Sequence, residues 1–165
     1  MLISGPQIPK AKTVETLTSL VDIYPTVLQA LGAQDDGVQR PGLSLQSVID
    51  GAGTDRAVLS EYHDGGSPVG MFMLRTDKWK YNCYPGYPPE LFDMANDPDE
   101  LCDLSQNPAH AEDLKRCHDE MCTLLDPAKA NDLAFADQAQ LIEQLGGVET
   151  IINSEEFDHT PTHSG

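Results

Sequence analysis

Residues 88–104 read Pro88-Pro89-Glu90-Leu91-Phe92-Asp93-Met94-Ala95-Asn96-Asp97-Pro98-Asp99-Glu100-Leu101-Cys102-Asp103-Leu104: a short apolar run, an acidic turn and a second apolar anchor. Leu91, Phe92 and Met94 supply strand side chains. Asn96-Asp97-Pro98 then reverses the chain, because proline fixes φ while Asn and Asp bond nearby backbone. By itself this is a strand followed by a turn. Working upstream, residues 79–83, 71–75 and 57–62 have the same character, so the spacing predicts four strands, 57–62, 71–75, 79–83 and 90–94. Asp77-Lys78 sits between the second and third, as a tight hairpin requires. Downstream, Leu114, Cys117, Met121 and Leu124 recur at three- and four-residue steps, with Glu112, Asp113, Lys115, Arg116, Asp119 and Glu120 on the other face, which predicts a covering helix over about 109–125. The expected fold class is α/β overall and α+β in this segment, a four-stranded antiparallel sheet packed by a helix.

Three blocks follow. Residues 1–55 begin with Met1-Leu2-Ile3-Ser4, which reads as the end of a buried strand. They continue through a helix over 22–31, with Asp22 as N-cap, Pro25 in the first turn and Gly32 as stop. A Gly- and Asp-rich connector holds a short helical stretch near 45–49. Residues 56–126 carry the sheet and its helix. Residues 127–165 begin with Pro127, continue as a second helix over 128–145 stopped by Gly146-Gly147, and end in a tail from Glu155 that reads as extended.

Several runs carry a family likeness. The 88–104 run resembles the "peLFDLxxDPxExxDLa" segment of sulfatases of the alkaline phosphatase superfamily. Val14 to Gly32, with Leu20-Val21-Asp22-Ile23-Tyr24-Pro25-Thr26 at its centre, is similar to that family's "vsLvDiyPTlLelaG". Ser60-Glu61-Tyr62-His63-Asp64-Gly65-Gly66-Ser67, followed by Met71 to Tyr81, resembles the "sEYHxxGs…fmlRxgryKYi" run of a branch that includes choline-sulfatase-like enzymes. Ser4-Gly5-Pro6-Gln7-Ile8-Pro9 is similar to the "GPGIPkG" loop. This resemblance implies the C-terminal region of a sulfatase, with residues 1–55 a remnant of its core α/β domain. A phosphonate- or phosphate-ester hydrolase of the same superfamily is the alternative, and a free-standing noncatalytic acidic binding module is the alternative outside it.

Sulfatases carry a nucleophile in a Cys/Ser-x-Pro-Ser/Ala-Arg motif, and none of Cys83, Cys102, Cys117 or Cys122 stands in one; Cys83-Tyr84-Pro85-Gly86-Tyr87 has the proline at the right offset but Gly86 and Tyr87 in place of the small residue and the arginine. The resemblance therefore implies that formylglycine and a divalent metal (Ca, or Mn/Mg) belong to a missing N-terminal catalytic half. This segment is expected to bind no cofactor, to hold no metal and no catalytic residue, and to be inactive alone. Its expected partners are that half and a small sulfate ester, and an unpartnered apolar face on the 22–31 helix would favour a homo-oligomer.

A net charge of −17 over 165 residues argues against nucleic acid and anionic membrane surfaces as partners. No apolar stretch approaches the roughly 18 residues that span a bilayer. The compartment is left open, with the cytoplasm the expectation. Four cysteines with no C-x-x-C pair read as free thiols rather than a disulfide or zinc framework.

Substrate-binding candidates come from two loops. His63 follows the first strand and precedes a glycine-rich loop, where an imidazole can hydrogen-bond or protonate an ester oxygen; a surface turn histidine is the alternative. Glu61 and Asp64 would orient it or meet a cationic group. Seven of the ten aromatic residues lie between Tyr62 and Phe92. Tyr62, Phe72, Trp79, Tyr81 and Phe92 fit a sheet-on-helix core. Tyr84 and Tyr87, among Pro85, Gly86, Pro88 and Pro89, fit a rigid loop that could wall a pocket and attract a quaternary ammonium by cation–π contact.

Overall fold

The computed structural model describes residues 1–34, 36–63 and 66–153. Four strands, β1 Val58–Tyr62, β2 Met71–Arg75, β3 Trp79–Cys83 and β4 Glu90–Asp93, form one antiparallel sheet in sequence order. Register follows from the pairs Glu61 with Phe72, Leu74 with Tyr81 and Tyr81 with Leu91. The Asp77-Lys78 hairpin forms as expected, closed by the Thr76 N–H donating to the Trp79 carbonyl at 2.9 Å. Alternation along each strand puts Phe72, Leu74, Trp79, Tyr81 and Leu91 on one face, where Cys117 and Met121 of the covering helix meet them. Phe72, Leu74, Leu91 and Met121 are fully enclosed. At about 1.5–3 kcal/mol for each buried side chain, this layer is the main apolar contribution to stability.

The covering helix is α3, Ala111–Leu124, entered through a 3-10 turn at Pro108–His110. Its inward stripe is shorter than expected. Leu124 is 52% exposed, and Leu125, where the chain becomes extended, packs against the core in its place. Tyr62 also departs from the expected core, at 47% exposed. Its register partner is Met71, so it points to the opposite face from Glu61 and Phe72 on an edge strand. Asp126 accepts a hydrogen bond from the Lys129 N–H, and Pro127 takes the first position of α4, Pro127–Gln144. A further short helix, α5, Val148–Ile152, follows Gly146-Gly147 and was not expected. The tail from Glu155 lies outside the described residues.

Before the sheet stand α1, Ile23–Leu31, and α2, Leu45–Ile49. Residues 1–19 carry neither helix nor strand, so the buried-strand reading of Met1 to Ser4 is corrected; Leu2 is fully exposed. Val27 and Leu31 of α1 are exposed, as an unpartnered face would be. Asp22 stands at the expected N-cap position of α1, but its side chain bonds none of that helix's first-turn N–H groups. Instead it is completely buried: its carboxylate accepts from the Ser19 N–H (2.8 Å) and the Leu43 N–H (2.9 Å), and the Arg56 Nη1 lies 3.0 Å from both its oxygens. Thr26 completes the tie, its hydroxyl donating to the Asp22 carbonyl and accepting from the Leu45 N–H.

Candidate functional site

Antiparallel order brings the β1–β2 and β3–β4 connections to one end of the sheet and leaves the 76–79 hairpin at the other. Glu61, His63, Tyr84 and Tyr87 of the sequence-predicted site are therefore at or next to the loop end. Glu61 and His63, two positions apart, share a face. The His63 Nε2 lies 3.2 Å from the Glu61 Oε2, and the imidazole meets the Phe72 ring edge-on with centroids 5.3 Å apart. His63 is thus held by its neighbours and not free on a turn; about a quarter of its side chain remains open. It borders a cleft of about 330 Å³ whose opposite wall is α4, through Asn131, Phe135 and Gln138. Asp64 lies outside the described residues.

The β3–β4 loop is built differently. Tyr84-Pro85-Gly86-Tyr87 closes with the Tyr87 N–H donating to the Tyr84 carbonyl at 2.9 Å, and Gly86 takes φ +83°, so proline and glycine occupy the positions a type II turn demands. Tyr84 donates its hydroxyl to the Glu90 Oε2 at 2.7 Å, which Asn82 Nδ2 also meets at 3.0 Å. Burial, with the Glu90 carboxylate beside it, pushes the Tyr84 phenol up to about 12. Tyr87 stays exposed. Both tyrosines line a second cleft, of about 550 Å³, between this loop and α3. The structure therefore brings Glu61 and His63 together and puts Tyr84 and Tyr87 in a separate depression.

That second cleft contains an array the sequence reading passed over. The Tyr81 hydroxyl is 3.0 Å from His118 Nδ1, and the Cys122 Sγ is 3.6 Å from His118 Nε2. The available signal was the four-residue step from His118 to Cys122, which stacks them on one helix face. Burial raises the Tyr81 phenol and the Cys83 thiol above their ordinary values, and holds the Cys117 thiol up at about 11, so these groups stay protonated at neutral pH. All four cysteines are free, Cys117 buried and Cys122 exposed on different faces of α3. Among the described residues no group of three His, Cys, Asp or Glu side chains could hold a metal ion. The described residues do not fit the divalent metal or the formylglycine that a sulfatase uses.

No family model matches the chain. Arylsulfatase K from Gallus gallus is 38% identical over 118 residues, 64% of this chain and 22% of that protein, and arylsulfatase K from Homo sapiens is 34% identical over 116 residues. The chain spans about a fifth of the length of these curated relatives. Among solved structures, a 2-O GAG sulfatase superposes with a TM-score of 0.65 at 27% identity, covering 76% of this chain and 29% of that one. The phosphonate monoester hydrolase of Agrobacterium radiobacter superposes with a TM-score of 0.57 at 26% identity, covering 67% and 25%.

Proposed function

We propose that this chain, which belongs in sequence and fold with the C-terminal subdomain of sulfatases, serves sulfate-ester hydrolysis by completing the substrate cleft of a catalytic half that lies outside it. The observation that carries this reading is His63, fixed against Glu61 and Phe72 on the border of a cleft. His63 donates a hydrogen bond or a proton to an ester oxygen, and Glu61 orients its imidazole. Tyr84 and Tyr87 wall the neighbouring depression, where Tyr87 offers an open ring to a leaving group. The nucleophile and the divalent metal come from the other half, in keeping with the lack of a nucleophile motif in residues 1–165. Likeness to a phosphonate monoester hydrolase supports a second reading, in which the ester is a phosphonate or phosphate.

The test joins this chain to a sulfatase catalytic half and compares sulfate-ester turnover with and without His63→Ala. Loss of a positioned acid or base costs about a hundredfold or more. A loss under about twofold removes His63 from the site. The isolated chain, assayed with an aryl sulfate and calcium, magnesium or manganese, turns over nothing above a buffer blank; measurable hydrolysis would overturn the division of labour.

A further inference from the structure

Two contacts, made by residues remote in sequence, converge on the imidazole of His63. The first is steric. Gly70 ends the β1–β2 connection with its backbone pressed onto the ring: a Cβ there would stand 2.8 Å from His63 Cε1, 3.0 Å from Nδ1 and 3.0 Å from Phe72 Cε2. Real Cβ atoms essentially never come within 3.0 Å of a neighbour, so a side chain here would force the imidazole to shift, and it is the lack of a Cβ at Gly70 that permits the close approach. The second contact is polar. The Gly70 N–H donates to Asn131 Oδ1 at 2.8 Å, across 61 residues of sequence, in a part-buried setting. Asn131 sits just over one turn into α4, whose start is fixed by the Asp126 cap and Pro127, so its amide oxygen is held by a rigid element.

We infer that Asn131 is a positioning residue for His63: it holds Gly70 against the imidazole, and the imidazole is thereby trapped between Gly70, the edge of Phe72 and the carboxylate of Glu61. A buried amide without its acceptor is costly, so the Gly70 backbone has one favoured place as long as Asn131 is present. Once Gly70 moves outward, the ring loses one of its three walls and gains rotamers, and a donor aimed at a substrate loses its aim. The assignment rests on the proposed role of His63 for its meaning in catalysis, but its structural content is independent of that role.

The test uses the 165-residue chain in solution, with the His63 ring resonances and the Gly70 amide exchange rate as readouts. Asn131→Ala is expected to shift the His63 Cε1–H resonance and to speed exchange at Gly70 by at least about fivefold, the size of one net hydrogen bond. Asn131→Asp keeps an acceptor oxygen and is expected to restore the slow exchange. Gly70→Ala is the second variant: its methyl displaces the imidazole while Asn131 is intact, so it reports on the same contact if Asn131→Ala fails to fold. Leu74 amide exchange monitors the sheet. Unchanged His63 resonances in both folded variants would overturn the inference, as would loss of Gly70 protection with no movement of the ring. If the ring moves in both, but His63→Ala leaves turnover of the joined protein untouched, the positioning stands and the substrate role of His63 falls.

Discussion

Replacing Asp22 with alanine should open the segment around α1 and α2 while leaving the sheet closed. The carboxylate is completely buried and receives two backbone amides and the Arg56 guanidinium, whose side chain is 14% exposed. Taking away one partner of such a pair leaves a desolvated charge and two unpaired amides, a loss of about 3–5 kcal/mol. At about 1.4 kcal/mol for each tenfold change, that is roughly two to three and a half orders of magnitude in local opening, or all measurable protection if the segment is less stable than that. Amide hydrogen exchange reads it directly. Leu45 and Val48 are suitable reporters because their N–H groups bond Thr26 and Ser44 rather than Asp22, and Leu74 is the sheet reference. The paired variant Asp22→Leu with Arg56→Met removes both charges and should recover most of the loss, since a buried ion pair can be exchanged for apolar side chains at little net cost. Acceleration below about threefold at Leu45 and Val48 would refute the reasoning, and an equal loss at Leu74 would show that the tie is not local.

Two pH experiments follow from the loop end of the sheet. Tyr84 is raised from 10.0 to about 12, so its contribution to stability is complete below pH 10 and is lost as pH rises through about 12. Near-ultraviolet titration should show the Tyr84 phenol, identified by its loss in Tyr84→Phe, ionising well above pH 10, with Glu90→Gln moving it back toward 10; ionisation at 10 in the parent chain would contradict its burial and its bond to Glu90. Asp103 is the opposite case. Burial acts to raise its carboxyl, but the Leu91 N–H, the Ser105 N–H and the Ser105 hydroxyl outweigh it and hold the group below 3.8. That stability is present above pH 3.8 and disappears as pH falls through the folded value, so denaturant titrations in acid should show Asp103→Asn with a flatter acid limb than the parent chain.

Much of the sheet was legible because strands announce themselves by alternation and hairpins by spacing. The bounds of β2 and β3 and the short α2 match what the sequence predicts. The misreadings have physical causes. Aromatic character alone puts Tyr62 in the core, although its parity opposes that of Glu61 and Phe72; parity becomes decisive only when the register is known. Leu124 fits the helical stripe, but the helix ends there and Leu125 takes the inward position. Asp22 has the residue type and place of a cap, and nothing local discloses that Arg56, 34 residues on, claims its carboxylate. In the candidate site, His63 and Glu61 were visible because both belong to one short motif. The α4 wall was not, since Asn131 and Phe135 reach the cleft by tertiary packing that no local pattern encodes.

The hairpin at 76–79 and the two longer connections at the far end divide the sheet into a fixed edge and an adjustable one. Two residues of turn leave no slack, so the pairing of β2 with β3 is indexed from the hairpin. Insertions into the 84–89 segment would therefore lengthen reach by up to about 3.3 Å per residue without disturbing the β2–β3 pairing. A subdomain made this way can take a loop of different length or composition at one end while the other end stays as it is, much as a tool accepts different bits in one chuck.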